Sequence, residues 1–188
     1  MEKEALNLTS YTKIKTIDHF SKLYRRVTNS MLLAIPLAGI ALYVFALRPM
    51  LSTPQIQWYV QLTVGVILYP LNCVLHELLH GYTYRFFNPG AKVTYRFGVF
   101  GSATHIEGGY VRKWPFLWFV LAPMTVLSLV YLLVAVGVPS CFAVFYFTAV
   151  IQFTSGSNDL LLALPQFGLK KSDVLIDGEN GFEVYRRK

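Results

Sequence analysis

The sequence predicts an all-α polytopic membrane protein of about four transmembrane helices, with a small β-hairpin element after the second helix and a short hairpin near the C-terminus. Two observations carry this. Of 188 residues, 54% are hydrophobic and only 14% charged, against about 25% charged in ordinary soluble domains. The charges are also absent in blocks: 17 residues without one from Met31 to Leu47, 27 from Pro49 to Leu75, and 45 from Trp114 to Asn158. The composition excludes a disordered chain, and two cysteines exclude a disulfide scaffold.

Residues 1–30 form a basic amphipathic arm. Ile14, Ile17, Phe20, Tyr24 and Val27 recur at helical spacing among Lys13, Lys15, Lys22, Arg25 and Arg26, which suits a helix on the inner leaflet. A membrane domain follows over 31–164, with spans at about 31–48, 57–86, 114–136 and 140–164. At 1.5 Å per residue the 45-residue run would measure about 68 Å, enough for two crossings. Gly137-Val138-Pro139-Ser140 supplies the turn between them. A soluble bundle would carry polar stripes that these runs lack. Between spans two and three, residues 92–111 alternate in part and hold Gly98, Gly101, Gly108 and Gly109, the pattern of a hairpin. In the 165–188 tail, Val174-Leu175-Ile176 and Phe182-Glu183-Val184-Tyr185 flank an Asp-Gly turn.

The net charge of +7 is explained by topology rather than by nucleic acid. Lys and Arg number six in the arm, one in the first loop, five after span two, none between spans three and four, and five in the tail. Under the positive-inside rule this alternation puts both termini and the 92–111 hairpin in the cytoplasm.

Span two ends in His76-Glu77-Leu78-Leu79-His80, an HExxH sequence. With 4 His and 6 Glu in the chain, chance supplies roughly 0.003 such matches, and the spacing has a mechanism behind it. On a helix, residues four apart share a face, so both imidazoles can reach one Zn²⁺. Glu77 projects about 100° away. It can act as general base, taking a proton from an attacking water and passing it to a leaving amine.

Catalytic zinc generally has three protein ligands. Asp159 lies 19 residues after Ser140, as His76 lies 19 after Gln57, so both sit about 28 Å along helices entering from the same side. A carboxylate in so apolar a helix needs a cation, which makes Asp159 the preferred third ligand. Asp177 in its Asp-Gly turn is the runner-up; His105, Glu107, Cys73 and Glu179 rank lower. Asn72, four residues before His76, shares its face and can donate to a substrate carbonyl or orient a ligand.

These residues resemble the site-2 intramembrane metalloproteases, in which HExxH ends one transmembrane helix and an Asp lies late in a later one. More closely, the chain is similar to small bacterial membrane proteins grouped as zincin peptidases. There HELxHG precedes a polar small-residue segment with Asp, then Gly-Phe-x-Val-Tyr. Here these are His76 to Gly81, Ser155-Gly156-Ser157-Asn158-Asp159 and Gly181-Phe182-Glu183-Val184-Tyr185, and the likeness covers about residues 60–188. It implies zinc on His76, His80 and Asp159, Glu77 as catalytic base, a location in the bacterial plasma membrane, and membrane-embedded or membrane-adjacent protein segments as substrates. One departure stands out. The better-known site-2 enzymes carry the Asp in an Asp-Gly context, whereas Leu160 follows Asp159 and the Asp-Gly here is Asp177-Gly178. A substrate backbone must be extended to be cut, so the 92–111 hairpin would offer it an edge strand, a role that Pro at Phe97 or Val99 would disturb. The alternative is a non-proteolytic metal-binding membrane scaffold. Glu77 argues against it, because a structural site needs closed ligation and no base beside water. A transporter fits poorly, as the four spans show no paired repeat.

Overall fold

The charge-free runs become long helices. In the computed structural model, which describes residues 10–17, 22–98, 101–107, 110–178 and 181–188, α1 (Lys22–Leu42) continues through a π turn at Tyr43–Leu47 and a 3-10 turn at Arg48–Met50. α2 covers Trp58–Phe87 and α3 Lys113–Gly137. These three helical stretches are each long and apolar enough to cross a membrane. Large apolar side chains such as Leu33, Phe45, Val66 and Leu133 lie exposed along them, as lipid-facing surfaces require and a soluble bundle would not tolerate.

The fourth apolar run is two helices rather than the single 140–164 span expected. α4 (Phe142–Ser155) and α5 (Ser157–Ala163) meet at Gly156. The hydroxyls of Ser155 and Ser157 donate to Gln152 O and Thr154 O, drawing the backbone out of register with the helical ladder. Gly156 is required by space: a Cβ there would stand 2.7 Å from Met124 Cβ in α3. Asp159 lies in the first turn of α5, three residues past this junction.

The all-α expectation needs correcting, because the described residues also form six strands. β1 (Tyr11–Ile17) occupies the first seven residues of the stretch 11–29 read as an amphipathic helix. Thr12, Ile14, Thr16 and Ile17 are β-branched and suit a pleated surface, and distant pairing decides the outcome. β2 (Lys92–Gly98) and β3 (Gly101–Glu107) form an antiparallel hairpin, with Thr94 opposite His105 and Phe97 opposite Ser102. β4 (Val111–Arg112), β5 (Val174–Gly178) and β6 (Gly181–Arg187) join β1 in a sheet ordered β1-β6-β5-β4, antiparallel throughout. Its buried polar anchor is Asp173, whose carboxylate accepts two bonds from Arg186 and one from Lys170 N.

The sheet caps the helices at the end that carries the HExxH sequence. Phe116 and Phe119 of α3 and Tyr84 of α2 pack with Val93, Leu175 and Val184 in one apolar cluster. At the far end, Ile56 N donates to Ser140 O at 2.9 Å and Gln55 Nε2 to Pro139 O at 2.7 Å. α2 and α4 therefore start from one level. α1 packs on α4 and α5, where Tyr24 OH donates to Asn158 O and Thr28 Oγ1 to Asn158 Oδ1. These tertiary anchors hold the first turns of α1, where Lys22 to Asn29 are helical as the amphipathic reading expected and continue without a break into the first span.

Candidate metal centre

Helical spacing and equal depth bring three predicted ligands together. His76 and His80 project from one face of α2, with Nε2 atoms 3.1 Å apart. Asp159 Oδ2 stands 3.2 Å from His76 Nε2 and 3.6 Å from His80 Nε2. Three potential ligand atoms thus lie within 4.8 Å of one another, and among the described residues this is the cluster able to hold a metal ion. The donor set suits zinc, which takes imidazole nitrogen and carboxylate oxygen and leaves a fourth position for water or substrate.

α3 orients one of the predicted ligands. In an α-helix each N–H donates to the carbonyl four residues back, and proline has no N–H. Pro123 therefore leaves Phe119 O without its helical donor. His80 Nδ1 fills the vacancy at 2.8 Å, which fixes its proton on Nδ1 and turns Nε2 toward Asp159. The Phe119 ring packs beside the same imidazole, with centroids 5.0 Å apart.

Glu77 is buried but stands outside the His-His-Asp cluster. Its carboxylate is held by the hairpin: Ser102 Oγ donates to Oε1 at 2.8 Å and Thr104 Oγ1 to Oε2 at 2.6 Å. The hairpin can do this because it folds back along α2. Asn88-Pro89-Gly90-Ala91 forms a type II turn, closed by Ala91 N donating to Asn88 O, with Gly90 at φ +82°. Arg85 then reaches Val93 O, Tyr95 lies over Gly81, and Ser102 and Thr104 meet Glu77. The hairpin thus descends beside the helix for about 12 Å, the rise from residue 85 to 77.

The other candidates stand elsewhere. The Asp177 backbone pairs with Phe182 in the four-stranded sheet. His105 is exposed on β3, Cys73 is a half-buried thiol, and Glu179 lies outside the described residues. Sequence reasoning missed Ser102, Thr104 and Gln152. The hydroxyls sit at alternate positions of β3, a spacing that puts both on one face. Gln152 is a long amide within a charge-free run, a placement that itself asks for a buried partner. Its Nε2 stands 2.9 Å from His76 Nδ1, and its Oε1 accepts from Asn72 Nδ2 at 2.6 Å. Asn72 therefore touches the site through Gln152.

A family whose description reads "Putative zincin peptidase" matches residues 67–171. The match takes in the HExxH sequence, the hairpin, α3 and Asp159. No curated protein and no solved structure matches the chain.

Proposed function

The chain belongs to the "Putative zincin peptidase" family, and from that premise we propose that it is a zinc-dependent intramembrane protease cutting membrane-embedded or membrane-adjacent protein segments near the cytoplasmic leaflet. One observation carries the reading. Three ligand atoms converge beside long apolar helices, while the neighbouring carboxylate of Glu77 is kept out of the cluster and held by hydroxyls. A structural metal site would close its ligation and would not need that carboxylate.

His76, His80 and Asp159 would hold the ion, with His80 fixed by Phe119 O. Zinc bound there would supply Lewis acidity toward a carbonyl oxygen and lower the pKa of water. Glu77 takes the proton of the attacking water and delivers it to the departing amine, with Ser102 and Thr104 holding its two oxygens in place. The β2–β3 hairpin runs beside the motif and suits the capture of an extended substrate segment by strand addition. α4 and α5 together complete a fourth crossing in this reading. The charge pattern supports both termini on the cytoplasmic side, and the resemblance to small bacterial membrane proteins supports a plasma-membrane location.

The test uses the full-length protein in detergent and in cells. Purified wild type and Glu77→Gln are both expected to contain zinc, whereas uncut membrane proteins accumulate only in cells carrying Glu77→Gln. Zinc in both with no accumulated substrate would replace this reading with a metal-binding scaffold.

A further inference from the structure

Both histidines present Nε2 to Asp159, so a shared cation takes both Nε2 atoms. An imidazole that gives Nε2 to a metal carries its proton on Nδ1 and donates from there. For His80 the acceptor is already in place at Phe119 O. For His76 it is not. Its Nδ1 faces Gln152 Nε2 at 2.9 Å, an amide nitrogen that only donates. That contact fits the other tautomer of His76, with the proton on Nε2 and donated to Asp159. Were the cation to take Nε2, two donors would confront each other at Nδ1.

The groups around Gln152 allow a second setting. Gln152 is fully buried, its Nε2 also donates to Pro123 O at 3.0 Å, and its Oε1 accepts from Asn72 Nδ2. Asn72 is buried as well, and among the described residues its Oδ1 has no hydrogen-bond partner. An orphaned acceptor in an apolar interior costs its full desolvation. The two amides can turn together about their terminal torsions with almost no change of shape. Gln152 Oε1 then accepts from His76 Nδ1–H, and Gln152 Nε2 donates to Asn72 Oδ1. The Asn72–Gln152 bond is kept with its direction reversed, while the bond to Pro123 O is given up and Oε1 comes to face that carbonyl, so the second setting is the costlier one and a ligand on His76 Nε2 must draw the amides into it. The tautomer of His76 decides between the settings.

We propose that Gln152 and Asn72 form a paired amide switch that follows the tautomer of His76, one setting holding the metal-free His76–Asp159 pair and the other orienting His76 as a metal ligand. Gln152 is a positioning residue that acts through His76. The inference rests on the zinc reading and deepens it. It is a two-state element whose second state a ligand on His76 stabilises.

The experiment is a zinc titration against a competing chelator, on full-length protein in detergent. Gln152→Leu, which keeps the volume and loses the acceptor, is expected to bind zinc 10- to 100-fold more weakly. Gln152→Glu, which can only accept, is expected to match or exceed wild type. Zinc bound equally by wild type and Gln152→Leu would overturn the switch, as would Gln152→Glu losing affinity alongside Gln152→Leu. Wild type that binds no zinc would instead overturn the metal centre itself. Should Gln152→Leu fail to fold, Asn72→Asp gives the second arm. Acceptor-only at 72, it favours the metal setting and is expected to keep or raise affinity, and a weakened Asn72→Asp would overturn the proposal. Nitrogen NMR of ¹⁵N-histidine protein reads the tautomer without any turnover. The His76 proton is expected on Nε2 before zinc and on Nδ1 after it; an Nδ1 proton before zinc would overturn the switch.

Discussion

Pro123 shows how one residue can trade local order for a site. In a helix interior proline costs about 3 kcal/mol relative to alanine. Here the carbonyl it frees is the one that orients His80. Pro123→Ala restores an N–H that can reclaim Phe119 O. The expected outcome is a protein that melts at a higher temperature and binds zinc on the order of 10-fold more weakly, read by differential scanning calorimetry and chelator competition. The third ligand is tested in the same assay. Asp159→Ala is expected to abolish zinc binding and Asp177→Ala to leave it intact, since Asp159 stands within 3.6 Å of both imidazoles and Asp177 belongs to the sheet. The His76, His80 and Asp159 cluster was legible in the sequence because its logic is local or one-dimensional. Four residues make one helical face, and equal distances from two turns make equal depth. Gln152, Ser102 and Thr104 were not legible, because each matters only through the side chain it meets.

Among the elements, the hairpin depends on its closeness to α2. A Cβ at Gly81 would lie 2.0 Å from Tyr95 Oη and 2.6 Å from Tyr95 Cζ, so Gly81→Ala must push the Tyr95 ring, and with it β2, away from the helix. Ser102 and Thr104 would follow and release Glu77. Cleavage is expected to fall at least 10-fold with zinc retained, and Tyr95→Ala in the same chain should recover part of it, because the obstructing ring is gone. Phe97→Pro addresses substrate capture separately. It removes one backbone donor from β2, and cleavage should fail while zinc stays bound; Val99, its companion in the sequence reading, lies outside the described residues. Element by element, long apolar runs and turn clusters announced the helices and hairpins. The strand at 11–17 escaped notice because Ile14 and Ile17 fit a helical stripe and the partner strand is about 170 residues away. The break at Gly156 escaped because an apolar run looks the same whether its helix is straight or bent.

For the whole molecule, the sheet at the motif-bearing end ties the polar segments to the helices, and its acid stability follows from Asp173. The two bonds from Arg186 hold the Asp173 carboxyl below the ordinary carboxylate range. The folded chain therefore resists a proton that the unfolded chain accepts near pH 3.9. This contribution is complete above that pH and is lost as pH falls toward the folded value. Asp173→Asn should lower the melting temperature at pH 7 and flatten its decline in acid, seen by following melting against pH. The strand order has a consequence in time. β1 is translated about 170 residues before β6, an interval of roughly ten to thirty seconds at ordinary elongation rates. During that interval the early strand has its pairing groups unused, and an unpaired strand binds whatever strand arrives first. Lys13 and Lys15 on β1 then serve the nascent chain before they serve the folded one, deterring other strands until the late partner brings Glu183 to Lys13.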